Sequence, residues 1–155
     1  MAVVVGAKAP DFTLPNQDNV PVTLSEELEK GPVVLAFLPG AFSGTCTSEM
    51  CRFRDSAGEL AAVKATVMGV SVDSFFALKA WAQAESFTFP LLSDYNRIAI
   101  RLYDVVNPDM IGLKDIAYRA VFVIGRDGTV RHAEVLDDAR NEPNYDKVTQ
   151  ALHGA

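Results

Sequence analysis

The chain has 155 residues, 49% of them hydrophobic and 22% charged, the balance of an ordinary core-forming protein, and its length predicts one domain over 1–155. Fourteen Lys and Arg against twenty Asp and Glu leave a net charge of −6, which argues against a nucleic-acid or anionic-membrane binder. The longest apolar run inside the chain, Val33 to Leu38, has six residues where a bilayer span needs ~20. The opening Met1-Ala-Val-Val-Val-Gly-Ala-Lys8 lacks the basic start of a secretory signal, and two cysteines suit a reducing, cytoplasmic compartment better than a disulfide-stapled scaffold.

Taken in chain order, Asp11-Phe-Thr-Leu14 and Val22-Thr-Leu24 flank a polar stretch and predict a hairpin-like lead-in. Residues 33–38 are apolar throughout, the pattern of a central strand covered on both faces, and Pro39-Gly40 stops it. A second such strand is expected over Thr66–Val72, after which Asp73 or Ser74 can cap a helix running to about Glu85. A short strand near 90–93, a short helix around 97–103 and a loop over Asn107–Asp115 follow. Tyr118–Ile124 and Thr129–Val135 flank Arg126-Asp-Gly128, a strong tight-turn signal, and Pro143 opens a last helix ending near Leu152. The expected fold class is α/β, a mixed central sheet flanked by helices with an antiparallel edge hairpin, of the thioredoxin-like kind.

The stretch Pro39-Gly-Ala-Phe-Ser43-Gly-Thr-Cys46-Thr-Ser-Glu49-Met-Cys51 follows the first buried strand, at the carboxyl end where α/β sheets place ligands. Apolar residues then recur at Cys46, Met50, Phe53, Ala57, Leu60 and Ala61, all within about 60° of Cys46 on a helix. A helix should therefore begin near Cys46 and carry that sulfur inward in its first turn. A free cysteine of pKa ~8.5 is only about three per cent thiolate at pH 7, and the thiolate is the nucleophile. Unpaired N–H groups and the positive dipole end of a helix start favour an anion, and a nearby arginine would add to that. Ser43 offers a hydroxyl to the sulfur or to an incoming oxygen, and Pro39 offers a ring without an N–H. The plain alternative is a buried cysteine serving as a small hydrophobe, which is common.

Pro39-x-x-x-Ser43-x-x-Cys46 resembles the Pro-x-x-x-Thr/Ser-x-x-Cys signature of the peroxiredoxins. The likeness extends along the chain through Ala9-Pro-Asp-Phe-Thr-Leu14, Phe87-Thr-Phe-Pro-Leu-Leu-Ser-Asp94 and Arg119-Ala-Val-Phe-Val-Ile124. Trp81-Ala82 and the length look most like the AhpE branch. Cys46-Thr-Ser-Glu-Met-Cys51-Arg-Phe-Arg-Asp55 is similar to the PrxQ (bacterioferritin-comigratory) branch, so these residues leave the branch open. The resemblance implies a thioredoxin-like fold with the family's N-terminal extension. It also implies that Cys46 attacks a hydroperoxide and becomes a sulfenate. Arg119 matches the family's active-site arginine, and Glu49 the acidic residue that orients it; for these two the plain alternatives are a surface charge on a strand and a first-turn acid favoured by the dipole.

Cys51 lies five residues after Cys46, about 140° around a helix and about 7.5 Å along it. Regular helix geometry would hold the two Cα atoms about 8.7 Å apart, beyond the ~7 Å that a disulfide tolerates, so bonding requires the first turns to unwind. Cys51 also falls off the apolar stripe. The PrxQ resemblance implies a resolving thiol at this spacing. The alternative is an idle cysteine in a one-cysteine enzyme rescued by an external thiol. Thr23, Phe42, Trp81 and Phe122 either line the pocket or fill the core, with core expected for Trp81 and Phe122.

No Cys-x-x-Cys, Walker or dinucleotide glycine pattern occurs, and the two histidines, His132 and His153, lie far from the cysteines. The chemistry implied needs no cofactor and no metal. It needs a peroxide and a reductant: thioredoxin, a glutaredoxin-like protein or a low-molecular-weight thiol. The competing readings are a redox relay or sensor that oxidises a partner protein, and a passive binding module with an inert cysteine. The resemblance leaves homodimer and monomer both open, with no nucleic-acid or membrane partner.

Overall fold

The structure, a computed structural model, describes residues 3–155. Met1 and Ala2, the first residues of the stretch read above as lacking a signal, lie outside the described residues. Strands β1 (Thr13–Pro15) and β2 (Pro21–Thr23) form a small antiparallel sheet with Leu14 opposite Val22, as the lead-in pattern predicts. The turn between them is held by Asn16, whose side chain accepts the amides of Asp18 and Val20. Helix α1 (Leu24–Leu28) follows; its five residues are too few to show a helical period in the sequence.

The remaining elements are β3 (Val33–Phe37), α2 (Gly44–Asp55), α3 (Ala57–Ala62), β4 (Thr66–Ser71), α4 (Phe75–Glu85), β5 (Leu91–Ser93), α5 (Ala99–Leu102), β6 (Val106–Met110), β7 (Leu113–Ala117), β8 (Arg119–Ile124), β9 (Val130–Leu136) and α6 (Tyr145–Leu152). The central sheet runs β5-β4-β3-β8-β9, parallel across β5, β4 and β3 and antiparallel from β3 to β8 to β9. Alternation explains why β3 is apolar at every position. Val33, Leu35 and Phe37 join a core on one face, and Val34, Ala36 and Leu38 join a core on the other with Cys46, Met50 and Trp81. The mixed α/β architecture is the one expected, and Gly128 makes the tight turn before β9 at φ +83°.

Two expectations are corrected. Residues 107–115 are mostly a β-hairpin and not a loop: β6 and β7 pair around Ile111 and Gly112, both at positive φ. An isoleucine where such a turn usually carries Asn or Gly hid the signal, and Pro108, which has no N–H to give, read as a breaker. The apolar stripe running on to Ala61 also fails as a single helix. The chain bends at Ser56, whose hydroxyl donates to the Arg52 carbonyl at 2.8 Å, and Ala57 and Ala61 point to solvent. Ser74, not Asp73, caps α4 by accepting the Ala77 amide at 3.3 Å.

Candidate active site

β3 ends at the foot of the loop Leu38–Ser43, and α2 starts at Gly44, so Cys46 occupies the first turn of a helix pointed at the sheet's carboxyl end. The sulfur is fully buried, 0% exposed, among core side chains. It meets one strong donor. Arg119, the first residue of β8 and 2% exposed, directs Nη2 at Cys46 Sγ from 3.2 Å. The same guanidinium donates through Nη1 to Glu49 Oε1 at 2.9 Å, and through Nη2 and Nε to the Ala139 carbonyl at 3.0 and 3.3 Å. A fixed planar fork is what allows one side chain to serve sulfur, carboxylate and carbonyl at once.

Glu49 lies one turn after Cys46 and is fully buried, and its second oxygen, Oε2, has no hydrogen-bond partner among the described residues. Burial pushes its carboxyl up to about 7, opposed by the charge and hydrogen bond of Arg119. The pairing thus leaves Arg119 with charge to spare for the sulfur whenever Glu49 is protonated. Arg119 remains cationic, because the sulfur and Glu49 outweigh the effect of burying it.

The loop before Cys46 is built by polar ties that its sequence does not announce. Asp73 Oδ2 accepts both the Ala41 amide and the Ser71 hydroxyl at 2.7 Å, lashing the loop to the end of β4. Trp81 Nε1 donates to Thr47 Oγ1 at 3.3 Å and braces the first turn of α2 from α4. Phe42 precedes the N-cap with φ +67°, is 55% exposed, and its ring centroid lies 6.3 Å from that of Trp81.

Pro39, Ser43 and Arg119 all line one cavity of about 630 Å³, with Thr45, Asn107, Met110, Ile111, Tyr118 and the segment 136–140 completing its wall. Ser43 is exposed, and its hydroxyl donates to the Gly40 carbonyl at 3.1 Å instead of to the sulfur. Thr23 and Phe42 are not in this wall; Thr23 shares a hydroxyl bond with Thr13 at 2.7 Å. Trp81 and Phe122 are fully buried in the core, as expected. Sequence reasoning missed Ala139 and the segment 137–140, since a backbone carbonyl leaves no signature in residue type. Cys46 itself is not in the wall of the first cavity, which Arg119 reaches, and a second cavity of about 570 Å³ between α2, α3 and α6 also includes neither cysteine.

Cys51 sits on the same intact helix as Cys46, and both thiols are free. It is not wholly off the core, contrary to its position on the helical wheel: the sulfur is half-buried against the cluster that holds Met50 and Phe53. Its Sγ donates to Glu85 Oε2 at 3.6 Å.

This arrangement can be set beside known proteins. Residues 5–133 match the AhpC/TSA family. The chain belongs to that family. It is a peroxiredoxin, an enzyme of the thiol-peroxidase class. The chain is 38% identical over 133 residues to alkyl hydroperoxide reductase E of Mycobacterium tuberculosis, covering 84% of each protein. It is 34% identical to a chloroplastic 2-cysteine peroxiredoxin of Chattonella marina var. antiqua, covering 98% of this chain and 82% of that one. The crystal structure of the peroxidoxin BcpB of M. tuberculosis superposes with a TM-score of 0.88 at 34% identity, covering 97% of both chains. This peroxiredoxin's fold is therefore the thioredoxin-like one that its relatives carry.

Proposed function

We propose that the protein reduces hydrogen peroxide and organic hydroperoxides with Cys46 as the attacking sulfur. The observation that carries the reading is the 3.2 Å contact from Arg119 to Cys46 Sγ, made by a guanidinium that also lines the cavity. A hydrogen bond from a buried cation favours negative charge on the sulfur, and the start of α2 adds its own N–H groups. The thiolate attacks the terminal peroxide oxygen, the O–O bond breaks, and the leaving alkoxide or hydroxide takes a proton to depart as alcohol or water. Cys46 is left as a sulfenic acid. Arg119 stabilises the spreading charge, Pro39 shields the sulfur from one side, and Ser43, turning its hydroxyl from the Gly40 carbonyl, hydrogen-bonds the incoming oxygen.

Cys51 then resolves the sulfenic acid as an intramolecular disulfide. Two features favour opening of the start of α2, although the Trp81–Thr47 bond must be released: its N-cap Ser43 makes no side-chain cap bond and Phe42 holds a left-handed backbone. A thioredoxin, a glutaredoxin-like protein or a low-molecular-weight thiol returns the electrons in the cytoplasm, where such donors are abundant. Exposed Phe42 and Ile111, at the cavity end of the molecule, offer a seat for a second copy.

Intact mass after one equivalent of hydrogen peroxide tests this reading on reduced wild type, Cys51→Ser and Cys46→Ser. Loss of two hydrogens in the wild type, one added oxygen in Cys51→Ser and no change in Cys46→Ser are expected. One added oxygen in the wild type would make this a one-cysteine enzyme, and an unchanged wild type would end the peroxidase reading for this chain.

A further inference from the structure

The two sulfurs of α2 face opposite chemistry. Cys46 accepts a hydrogen bond from a cation, whereas the Cys51 thiol donates one to a carboxylate, Glu85 at the last turn of α4. The surroundings of Cys51 are charged from both helices: Arg54 and Asp55 on α2, and Glu85 on α4. Arg54 is occupied elsewhere. Its Nη1 donates to the Glu85 backbone carbonyl at 2.6 Å and its Nε to Asp55 Oδ1 at 3.0 Å, and it stands 4.0 Å from Glu85 Oε2. Burial pushes the Cys51 thiol up, and the Glu85 hydrogen bond and charge push it further against the opposing pull of Arg54.

The ties from Arg54 and Cys51 to Glu85 also fasten the middle of α2 to α4. An opening of the first turns of α2 would have to release the Trp81–Thr47 bond as well, while these ties keep Cys51 beside Glu85.

We propose that Glu85 holds Cys51 as a neutral thiol, so that Cys51 does not compete with Cys46 for peroxide, and that this carboxylate governs when Cys51 becomes a nucleophile. The second half rests on the resolving role proposed above. In that step the Cys51 Sγ–H reacts with the Cys46 Sγ–OH: an S–S bond forms, the S–O bond breaks, and the thiol proton leaves with the hydroxyl as water. The oxidant is the peroxide already consumed at Cys46, so no further reagent is needed. A thiolate at Cys51 would compete for that peroxide and forfeit its part in the disulfide.

The test is alkylation of Cys51 by iodoacetamide in reduced Cys46→Ser protein, followed from about pH 6 to about pH 10 with and without Glu85→Gln. Glu85→Gln should move the midpoint down and raise the rate at neutral pH roughly threefold or more, while Glu85→Asp stays near its parent. Arg54→Gln should move the midpoint the opposite way, which keeps the test open even where Glu85→Gln fails to fold. Superimposable curves, or slower alkylation in Glu85→Gln, would overturn the proposal. Peroxide-treated wild type separates it from the resolving role: faster alkylation in Glu85→Gln with no disulfide in the wild type removes the resolving role and leaves Glu85 as the guard of Cys51.

Discussion

Arg119 reaches Cys46 across 73 positions of sequence and places Nη2 3.2 Å from its sulfur while Nη1 holds Glu49 at 2.9 Å. One buried cation therefore stands between two groups able to carry negative charge, and its loss should be felt by both. Arg119→Met is expected to slow oxidation of Cys46 by about 10²- to 10³-fold, the range for removing a preorganised donor. Arg119→Lys should recover only part, because one ammonium cannot serve sulfur, Glu49 and the Ala139 carbonyl together. Stopped-flow peroxide kinetics read this directly, and an undiminished rate in Arg119→Met would remove the guanidinium from the chemistry.

Glu49 should make stability depend on pH in an unusual direction for a carboxylate. Its carboxyl is held near 7 in the folded chain against 4.5 when unperturbed, so between those limits the folded state binds the extra proton. That contribution to stability is fully present below about pH 4.5 and is lost as pH rises through about 7. Thermal melts of wild type and Glu49→Gln across this window should show their difference changing with pH in that sense. A constant difference would mean that Glu49 is ionised throughout.

Ser43 separates chemistry from stability. Its hydroxyl is exposed and, among the described residues, bonded only to the Gly40 carbonyl, so Ser43→Ala should change stability by less than ~0.5 kcal/mol. The same variant should lose about tenfold in peroxide rate, one hydrogen bond to the reacting oxygen, and Ser43→Thr should keep it. Rates and melts on the same samples decide it; equal rates in all would confine Ser43 to the loop.

Gly31 and Gly58 predict opposite outcomes for the same substitution. A β-carbon at Gly31 would lie 2.1 Å from the Lys64 carbonyl oxygen, a backbone atom, whereas one at Gly58 in α3 would meet nothing within 4 Å beyond its own helix among the described residues. Gly31→Ala should cost more than ~2 kcal/mol of unfolding free energy. Gly58→Ala should be neutral or gain up to ~1 kcal/mol through helix propensity. Urea titrations of both variants check this.

What was readable in the sequence tracks what each signal depends on. Runs such as Val33–Leu38 declare a buried strand because burial on both faces needs apolar side chains at every position. Pro39-Gly40 marks the loop, and the apolar recurrence from Cys46 through Met50 to Phe53 marks the helix start, and so the seat of the sulfur. Arg119 could be tied to Cys46 only through the family resemblance, because their meeting is made by the β3–β8 pairing, which no local pattern encodes. The β6–β7 hairpin escaped because Ile111 adopts a backbone usually left to Asn or Gly. Ala139, Asp73 and Glu85 escaped for a simpler reason: a carbonyl and two ordinary acids become specific only when the fold sets them opposite Arg119, Ala41 and Cys51.

The left-handed backbone at Phe42 makes the reactive end of the molecule a loaded spring. A side-chain-bearing residue at φ +67° stores ~1–2 kcal/mol that is recovered only when the neighbouring turn lets go. Under the resolving role proposed for Cys51, the reduced protein is thus kept slightly tense at the place where α2 has to open, and the tension lowers the cost of parting Cys46 from Arg119. A glycine at 42 would slacken it, lengthening the sulfur's stay in its seat after oxidation. On that proposal, the time a sulfenic acid waits, exposed to a second peroxide, is set in part by one torsion angle.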